Sequence, residues 1–407
     1  MIYKMFSYRM EMNILWLILF GLALGQIDDS SDCDDKNWHS LENETTARNE
    51  CGPVFENRCL CSRICYDGRH QYVVNCTDAG FRDTQPLENL PSKTQVLIFT
   101  GNRLEKLPWN IFGTLDRIPS LRVIDMSNNR IREIHGKSYH HVQNVQRLNL
   151  DYNELSLNSQ GNHPRVFSNF VSLLQLHLTD AFEDGSADDL AETLHEIFVN
   201  SHLDRLIKLH LEQNEISGFR DPNVFCNLPN LLDLHLGDNQ LTSLQFNLSC
   251  LHQLRFLDLQ RNAFTKVQDR DLKILDTFAK HNQSVTIDLS NNKFECGCKL
   301  NPFIKWMKKT KIIVRNKNYL ECINHDGHRK SLQETKNCSS NFVSISGTRG
   351  TTVAIIILTI ILVTLICALV YLQRAELKNK LAPVIESVNK RVRYTSIATG
   401  EARENDV

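Results

Sequence analysis

From about Val96 to Phe294 the chain repeats one spacing, L-x-x-L-x-L-x-x-N-x-L, and no other property of the sequence limits its folding so strongly. The pattern is cleanest as Leu121, Ile124, Met126, Asn129, Ile131 and as Leu231, Leu234, Leu236, Asn239, Leu241. It also fits Leu97, Phe99, Asn102, Leu104; Val145, Leu148, Leu150, Asn153, Leu155; Leu206, Leu209, Leu211, Asn214, Ile216; and Leu254, Leu257, Leu259, Asn262, Phe264. A last copy reads Ile287, Leu289, Asn292, Phe294. A strand and turn this short cannot bury its own apolar edge, so neighbouring units must stack to form a continuous core. The Asn suits the point where the chain leaves each strand, because its side chain can hydrogen-bond backbone groups and form a ladder through the turns.

This period is the signature of a leucine-rich repeat. The expected fold is an α/β solenoid, curved, with parallel strands on the concave face, a disulfide cap at each end and one transmembrane helix. One copy is defective: Leu173, Leu176 and Leu178 keep the strand, but Ala181 replaces the Asn and an insert fills 181–205. There Ser186 and Asp189 resemble a capping box, and Leu190, Leu194, Ile197 and Phe198 share one stripe, predicting a helix from about Asp188 to Asn200. The expected order is a signal peptide (1–25), an acidic lead-in (26–50), a cysteine-rich cap (51–93) and eight repeats (94–294). A second cap (295–338), a stalk (339–352), a membrane helix (353–372) and a cytoplasmic tail (373–407) follow.

The ends of the chain place it at the cell surface. Lys4 and Arg9 precede the apolar run Ile14 to Leu24, and Ala23-x-Gly25 offers small residues for cleavage, so we read a secretory signal rather than a retained anchor. Val353 to Leu372 carries no charge and is long enough to cross a bilayer of about 30 Å as a helix. Arg374, Lys378 and Lys380 follow it, which predicts a type I single-pass protein of the plasma membrane with its amino terminus outside.

Thirteen cysteines agree with an oxidising compartment: Cys367 falls in the span and the other twelve outside it. Cys51, Cys59, Cys61 and Cys76 precede the repeats, and Cys296, Cys298, Cys322 and Cys338 follow them. Cys33 and Cys65 are left to pair with each other. Cys226 and Cys250 hold nearly the same phase in adjacent repeats, where strands lie about 4.7–4.9 Å apart, so they form either a bridge or two buried thiols. Asn-x-Ser/Thr acceptors stand at Asn43, Asn75, Asn247, Asn282 and Asn337; the Cys in the middle of those at Asn75 and Asn337 lowers the expected occupancy.

A formal charge of -1 argues against a nucleic-acid partner. There is no G-x-S-x-G, no H-E-x-x-H and no phosphate loop, so we expect neither an enzyme nor a cofactor. Function should lie on the concave face, where the residues between the core positions are Ile98, Asp125, Asn149, His177, His210, His235, Asp258 and Asp288. Three histidines thus stack in successive repeats, with Asp180, Glu212, Asp233 and Asp238 near in sequence. The plain reading is a wet polar face for a protein partner, with Asp125, Asn149, His177, His210, His235 and Asp258 as candidate contacts. The sharper one is a zinc-dependent or pH-dependent contact. In the second cap, Lys299, Lys305, Lys308, Lys309, Lys311, Arg315 and Lys317 coat an apolar spine of Phe303, Trp306, Ile312 and Ile313, a surface for sulfated glycans or an acidic partner unless it is merely solvated. In the tail, Tyr394-x-x-Ile397 fits a sorting signal, and Asn405-Asp406-Val407 fits a PDZ groove, although such a groove usually takes Ser or Thr where Asn405 stands.

The swollen fourth repeat, the Cys296-Gly297-Cys298 cap through Trp306, Tyr371-Leu372-x-Arg374, Arg393-Tyr394 and Asp406-Val407 together resemble the trophoblast glycoprotein (Wnt-activated inhibitory factor) family. The resemblance runs from about Cys51 to the end. It implies a plasma-membrane glycoprotein that antagonises Wnt/β-catenin signalling by altering how the Wnt co-receptor is handled, and that affects adhesion and motility. The chain departs from that family in a longer Cys51–Cys59 gap, in the added Cys33 and Cys65, in the acidic lead-in Asp28 to Asp35 and in Asn405. The alternative function is a cell-adhesion or guidance receptor whose concave face binds a neighbour's ectodomain.

Overall fold

The computed structural model describes residues 33, 51–113, 118–156, 166–185, 187–280, 284–332, 347–374 and 381–390. Asn43, Asn282, Asn337, Cys338, Ser186 and the tail motifs at 394–397 and 405–407 lie outside the described residues. The chain divides into two compact units, Met1–Asn337 and Cys338–Val407.

In the first unit one 11-stranded sheet runs in sequence order. It begins with a hairpin, β1 (Leu60–Tyr66) and β2 (Arg69–Asn75). Then come β3 (Val96–Ile98), β4 (Val123–Asp125), β5 (Arg147–Asn149), β6 (Gln175–His177), β7 (Lys208–His210), β8 (Asp233–His235), β9 (Phe256–Asp258), β10 (Thr286–Asp288) and β11 (Ile313–Val314). Only β1 pairs antiparallel; every strand from β2 to β11 is parallel to its neighbour. In the repeats, strands are three residues long because one central residue, such as Leu148 or Leu234, is enough to enter the core. Its two flanking residues then point to the opposite face.

The Asn ladder closes the turns. Asn239 accepts from the backbone N–H of Asn214 and of Ile216, both at 3.0 Å, and donates to the Leu211 carbonyl at 2.9 Å. Asn129, Asn153 and Asn262 bond in the same way to the repeats beside them, and all are buried. At the defective copy the Ala181 carbonyl replaces the missing side-chain oxygen and accepts from Leu155 N–H at 2.8 Å. The insert forms α1 (Ala187–Ser201), which buries Leu190, Leu194, Ile197 and Phe198. A second helix, α2 (Asp269–Lys280), was not anticipated; it sets Leu272, Leu275 and Phe278 into the core between β9 and β10.

Both ends are sealed by disulfides. Cys51–Cys61 and Cys59–Cys76 tie the first cap, and Cys33–Cys65 ties the lead-in to the hairpin. Cys226–Cys250 links adjacent repeats, Cys296–Cys322 holds the second cap, and Cys298 is also disulfide-bonded. Within the second cap, α3 (Asn301–Lys309) buries Phe303 and Trp306, and the Trp306 indole N–H and the Thr310 hydroxyl both donate to Asp276 of α2 at 2.8 Å. The expected apolar spine is one residue shorter than predicted: Ile312 is buried but Ile313 is 50% exposed. Ile313 opens β11, and strand alternation turns it away from the core that Val314 enters.

In the second unit, α4 (Gly347–Leu372) is 26 residues long. Over the described side chains no helix is long and apolar enough to cross a membrane. The described side chains of α4 from Ile355 to Leu369 are uncharged and exposed. Residues 381–390 are also helical.

Candidate functional site

The sheet face opposite the core is not uniformly open. Tyr66, Ile64 and Ile98 pack on Val73, Val96 and Val123, a small apolar cluster separate from the main core. The turn after β1 reaches further, since Asp67 accepts from the Arg147 guanidinium at 2.8 Å and Arg147 also donates to Gln175 at 2.9 Å. The hairpin therefore occupies the face over β3 to β5. Burial, outweighing the pull of Arg147, pushes the Tyr66 hydroxyl above its usual pKa.

The expected register is present: Ile98, Asp125, Asn149, His177, His210, His235, Asp258 and Asp288 are partnered across successive strands. Their roles divide by residue type. Asp125, Asn149, Asp258 and Asp288 each accept from the backbone N–H two residues on, at 2.9 to 3.0 Å, so they cap the chain's exit from the strand. Asp258 is 5% exposed and Asp288 3%. These four residues serve the fold locally.

The three histidines make no such cap. Their rings stack as a column, with centroids 4.3 Å apart from His177 to His210 and 4.1 Å from His210 to His235, tilted by 14° and 15°. The column ends on the edge of Phe256, 5.2 Å from His235. Carboxylates flank it: Glu212 lies 2.9 Å from His210 Nδ1 and 3.5 Å from His235 Nδ1, Asp258 3.9 Å from His235 Nδ1, and Asp151 3.9 Å from His177 Nδ1. His177 Nε2 is buried without a hydrogen-bond partner among the described residues.

Burial dominates the electrostatics. It lowers His177 to about 3 and His235 to about 4, helped in both by the neighbouring His210 ring, so both rings are neutral at neutral pH. Burial also raises Asp151 to about 6, against the hydrogen bond from Thr179. For Glu212 burial pushes upward, but the hydrogen bond and charge of His210 outweigh it and hold the carboxyl below its ordinary range.

Of the acidic residues expected near the column, only Glu212 touches it. Asp238 pairs with Arg261, and Asp233 with Arg255 at 3.2 Å. Asp151 was missed; its signal was a place two residues past the strand position, the same phase as Glu212. At the second cap all seven predicted basic residues are exposed, and Arg315 leans toward Asp288 at 3.7 Å. Asn247 is engaged locally: its Oδ1 accepts from Ser249 N–H at 3.0 Å and its Nδ2 donates to Asn223 at 3.2 Å. Asn75 accepts from the Thr77 hydroxyl at 2.6 Å.

Comparison with known proteins agrees with this architecture. A family profile described as leucine rich repeat matches residues 92–155, 119–180 and 204–264. Trophoblast glycoprotein of Macaca fascicularis is 25% identical over 272 residues, covering 64% of this chain and 62% of its own length. The chain thus spans less than two thirds of that relative. Human Toll-like receptor 5 is 27% identical over 57% of this chain and 22% of its own length. The crystal structure of human trophoblast glycoprotein, also called Wnt-activated inhibitory factor 1, has the same fold, with a TM-score of 0.59 at 24% identity over 69% of this chain and 97% of that one.

Proposed function

We propose that this leucine-rich-repeat chain, which resembles the trophoblast glycoproteins, is a cell-surface protein that acts by binding another protein through the strand face around His177, His210 and His235. One observation carries this reading. Along the register column the Asp and Asn residues cap their own turns, whereas the histidines are stacked and unused by the backbone. Polar groups held half-buried without a structural task are what a partner can engage.

The finer reading is that binding modulates Wnt/β-catenin signalling at the plasma membrane, by analogy with the human relative, whose second name is Wnt-activated inhibitory factor 1. Type I anchoring belongs to the same proposal. The 26 residues of α4 would reach about 39 Å at 1.5 Å per residue, more than a hydrocarbon core of about 30 Å. We also assign the exposed basic cap to sulfated glycans or acidic partners, and Asn43, Asn75, Asn247, Asn282 and Asn337 as glycan acceptors. Val407 is assigned as a PDZ ligand.

The test is a β-catenin reporter in Wnt-stimulated cells expressing the full chain, beside a form lacking the repeats. Suppression that requires the repeats is the expected result. Equal reporter output with both forms, at matched surface delivery, would exclude the Wnt reading and favour adhesion through the same face.

A further inference from the structure

The histidine column is a stack, but its ligand atoms do not diverge. Both His210 and His235 turn Nδ1 toward one carboxylate: His210 Nδ1 sits 2.9 Å from Glu212 Oε1 and 3.2 Å from Oε2, and His235 Nδ1 lies 3.5 Å from Oε1. The three ligand atoms all fall within 4.8 Å of one another. We propose that His210, Glu212 and His235 form a three-ligand site for zinc or a similar divalent transition-metal ion, with its fourth position directed to whatever occupies the strand face.

The distances fit that ion. Zinc–nitrogen and zinc–oxygen bonds of about 2.0–2.1 Å at a tetrahedral centre place neighbouring ligand atoms about 3.3 Å apart. The observed 2.9 and 3.5 Å bracket this value, and the two rings, now stacked at 15°, would splay apart to turn both in-plane nitrogen lone pairs onto one ion. Two imidazoles and one carboxylate are also a donor set that zinc takes when it keeps an open position.

The surroundings supply what such a site needs beyond its ligands. The Thr179 hydroxyl donates to Glu212 Oε2 at 3.1 Å, which fixes the carboxylate while leaving Oε1 toward the rings. Asp258, 3.9 Å from His235 Nδ1, adds negative charge beside the ion. Gly237 follows His235 by two residues and brings no side chain to the site; a Cβ there would come 3.2 Å from Asp258 Oδ2. All three ligand side chains are 17% exposed, which is enough for entry from solvent and little enough to exclude most competing water.

His177 is the internal control. It stacks on His210 but its Nδ1 faces Asp151 instead of Glu212. If the column were only a polar or aromatic surface, the three histidines would be equivalent. A metal site makes His210 and His235 unlike His177.

The experiment is a Co²⁺ titration of the full chain in detergent micelles, read by visible ligand-field absorption, with Zn²⁺ as the competing ion. The wild type should show saturable absorption of four-coordinate Co²⁺ that Zn²⁺ displaces. His235→Asn and Glu212→Gln should each weaken binding by more than about 100-fold, since losing a ligand costs at least as much as losing a group that orients one. His177→Asn should stay within about threefold of the wild type by the same comparison. Thermal melts in chelator establish that each variant is folded, and Glu212→Gln, which keeps shape and one acceptor oxygen, serves if His235→Asn does not fold. No absorption with the wild type overturns the proposal, as does absorption equally strong in Glu212→Gln or equally lost in His177→Asn. The site deepens the binding reading above, but the titration needs no partner. Failed metal binding leaves that reading standing, and metal binding without reporter suppression leaves the site standing.

Discussion

Two columns of polar side chains run along the same sheet, one of asparagines and one of histidines, and they differ in what holds them. Asn129, Asn153, Asn214, Asn239 and Asn262 are nearly inaccessible, and each exchanges hydrogen bonds with the backbone of a neighbouring repeat. His177, His210 and His235 are half-buried and stack in a column beside carboxylates, from the same repeat for His210 and from adjacent repeats for His177 and His235, with no bond to the backbone that the fold requires. In sequence both appear as a residue recurring once per repeat. Repetition alone therefore does not separate a structural ladder from a functional one; the hydrogen-bond partners do.

The largest expected effect lies in the asparagines. Asn239→Ala strands the N–H groups of Asn214 and Ile216 and the carbonyl of Leu211 in a dry interior, and should cost about 3 kcal/mol in equilibrium urea unfolding. A loss below about 1 kcal/mol would mean that water replaces the side chain and would break the contrast. Next comes the hairpin that covers the other end of the face. Tyr66→Ala removes much of the lid on Val96 and Val123 and should cost about 2 kcal/mol, with increased binding of a hydrophobic dye as the second readout.

A smaller effect is expected where an Asp in the register column caps its turn. Asp258→Ala gives up the bonds from the Gln260 N–H and from Gln260 Nε2 and should cost about 1 kcal/mol. The smallest effect belongs to the histidines. His210→Asn and His235→Asn, measured in chelator, should each change stability by no more than about 0.5 kcal/mol, because Asn keeps a polar group beside Glu212 and no backbone group loses its partner. A loss of about 2 kcal/mol or more, on the scale of a core cavity, would show that the stack is structural after all.

Much of this was legible in the sequence. Register was, because a strand of three residues sends one side chain inward and fixes the other two, so the columns at Asn129 and at His210 could be placed by counting. The helix α1 was too, from the stripe Leu190, Leu194, Ile197, Phe198. What escaped depends on contacts distant in the chain. The hairpin reaches across the sheet so that Asp67 meets Arg147, 80 residues away, and no local pattern announces that. Helix α2 lay hidden in a polar stretch where Leu272, Leu275 and Phe278, with Ile274 half-buried beside them, mark its inner face. Asp151 and Glu212 sit beside the register column instead of in it, so a count of strand positions passed over the first and could not show that the second joins two rings.

In this account the half-buried histidine segment, and not the covered or self-capped part of the face, carries function. The most direct test is the β-catenin reporter with the full chain carrying His210→Asn, Glu212→Gln and His235→Asn together, matched to the wild type for surface amount and for melting temperature. Suppression by the wild type should be lost in the triple variant, while Asp125→Asn should retain it. Full suppression by the triple variant, correctly folded and delivered, would contradict the claim.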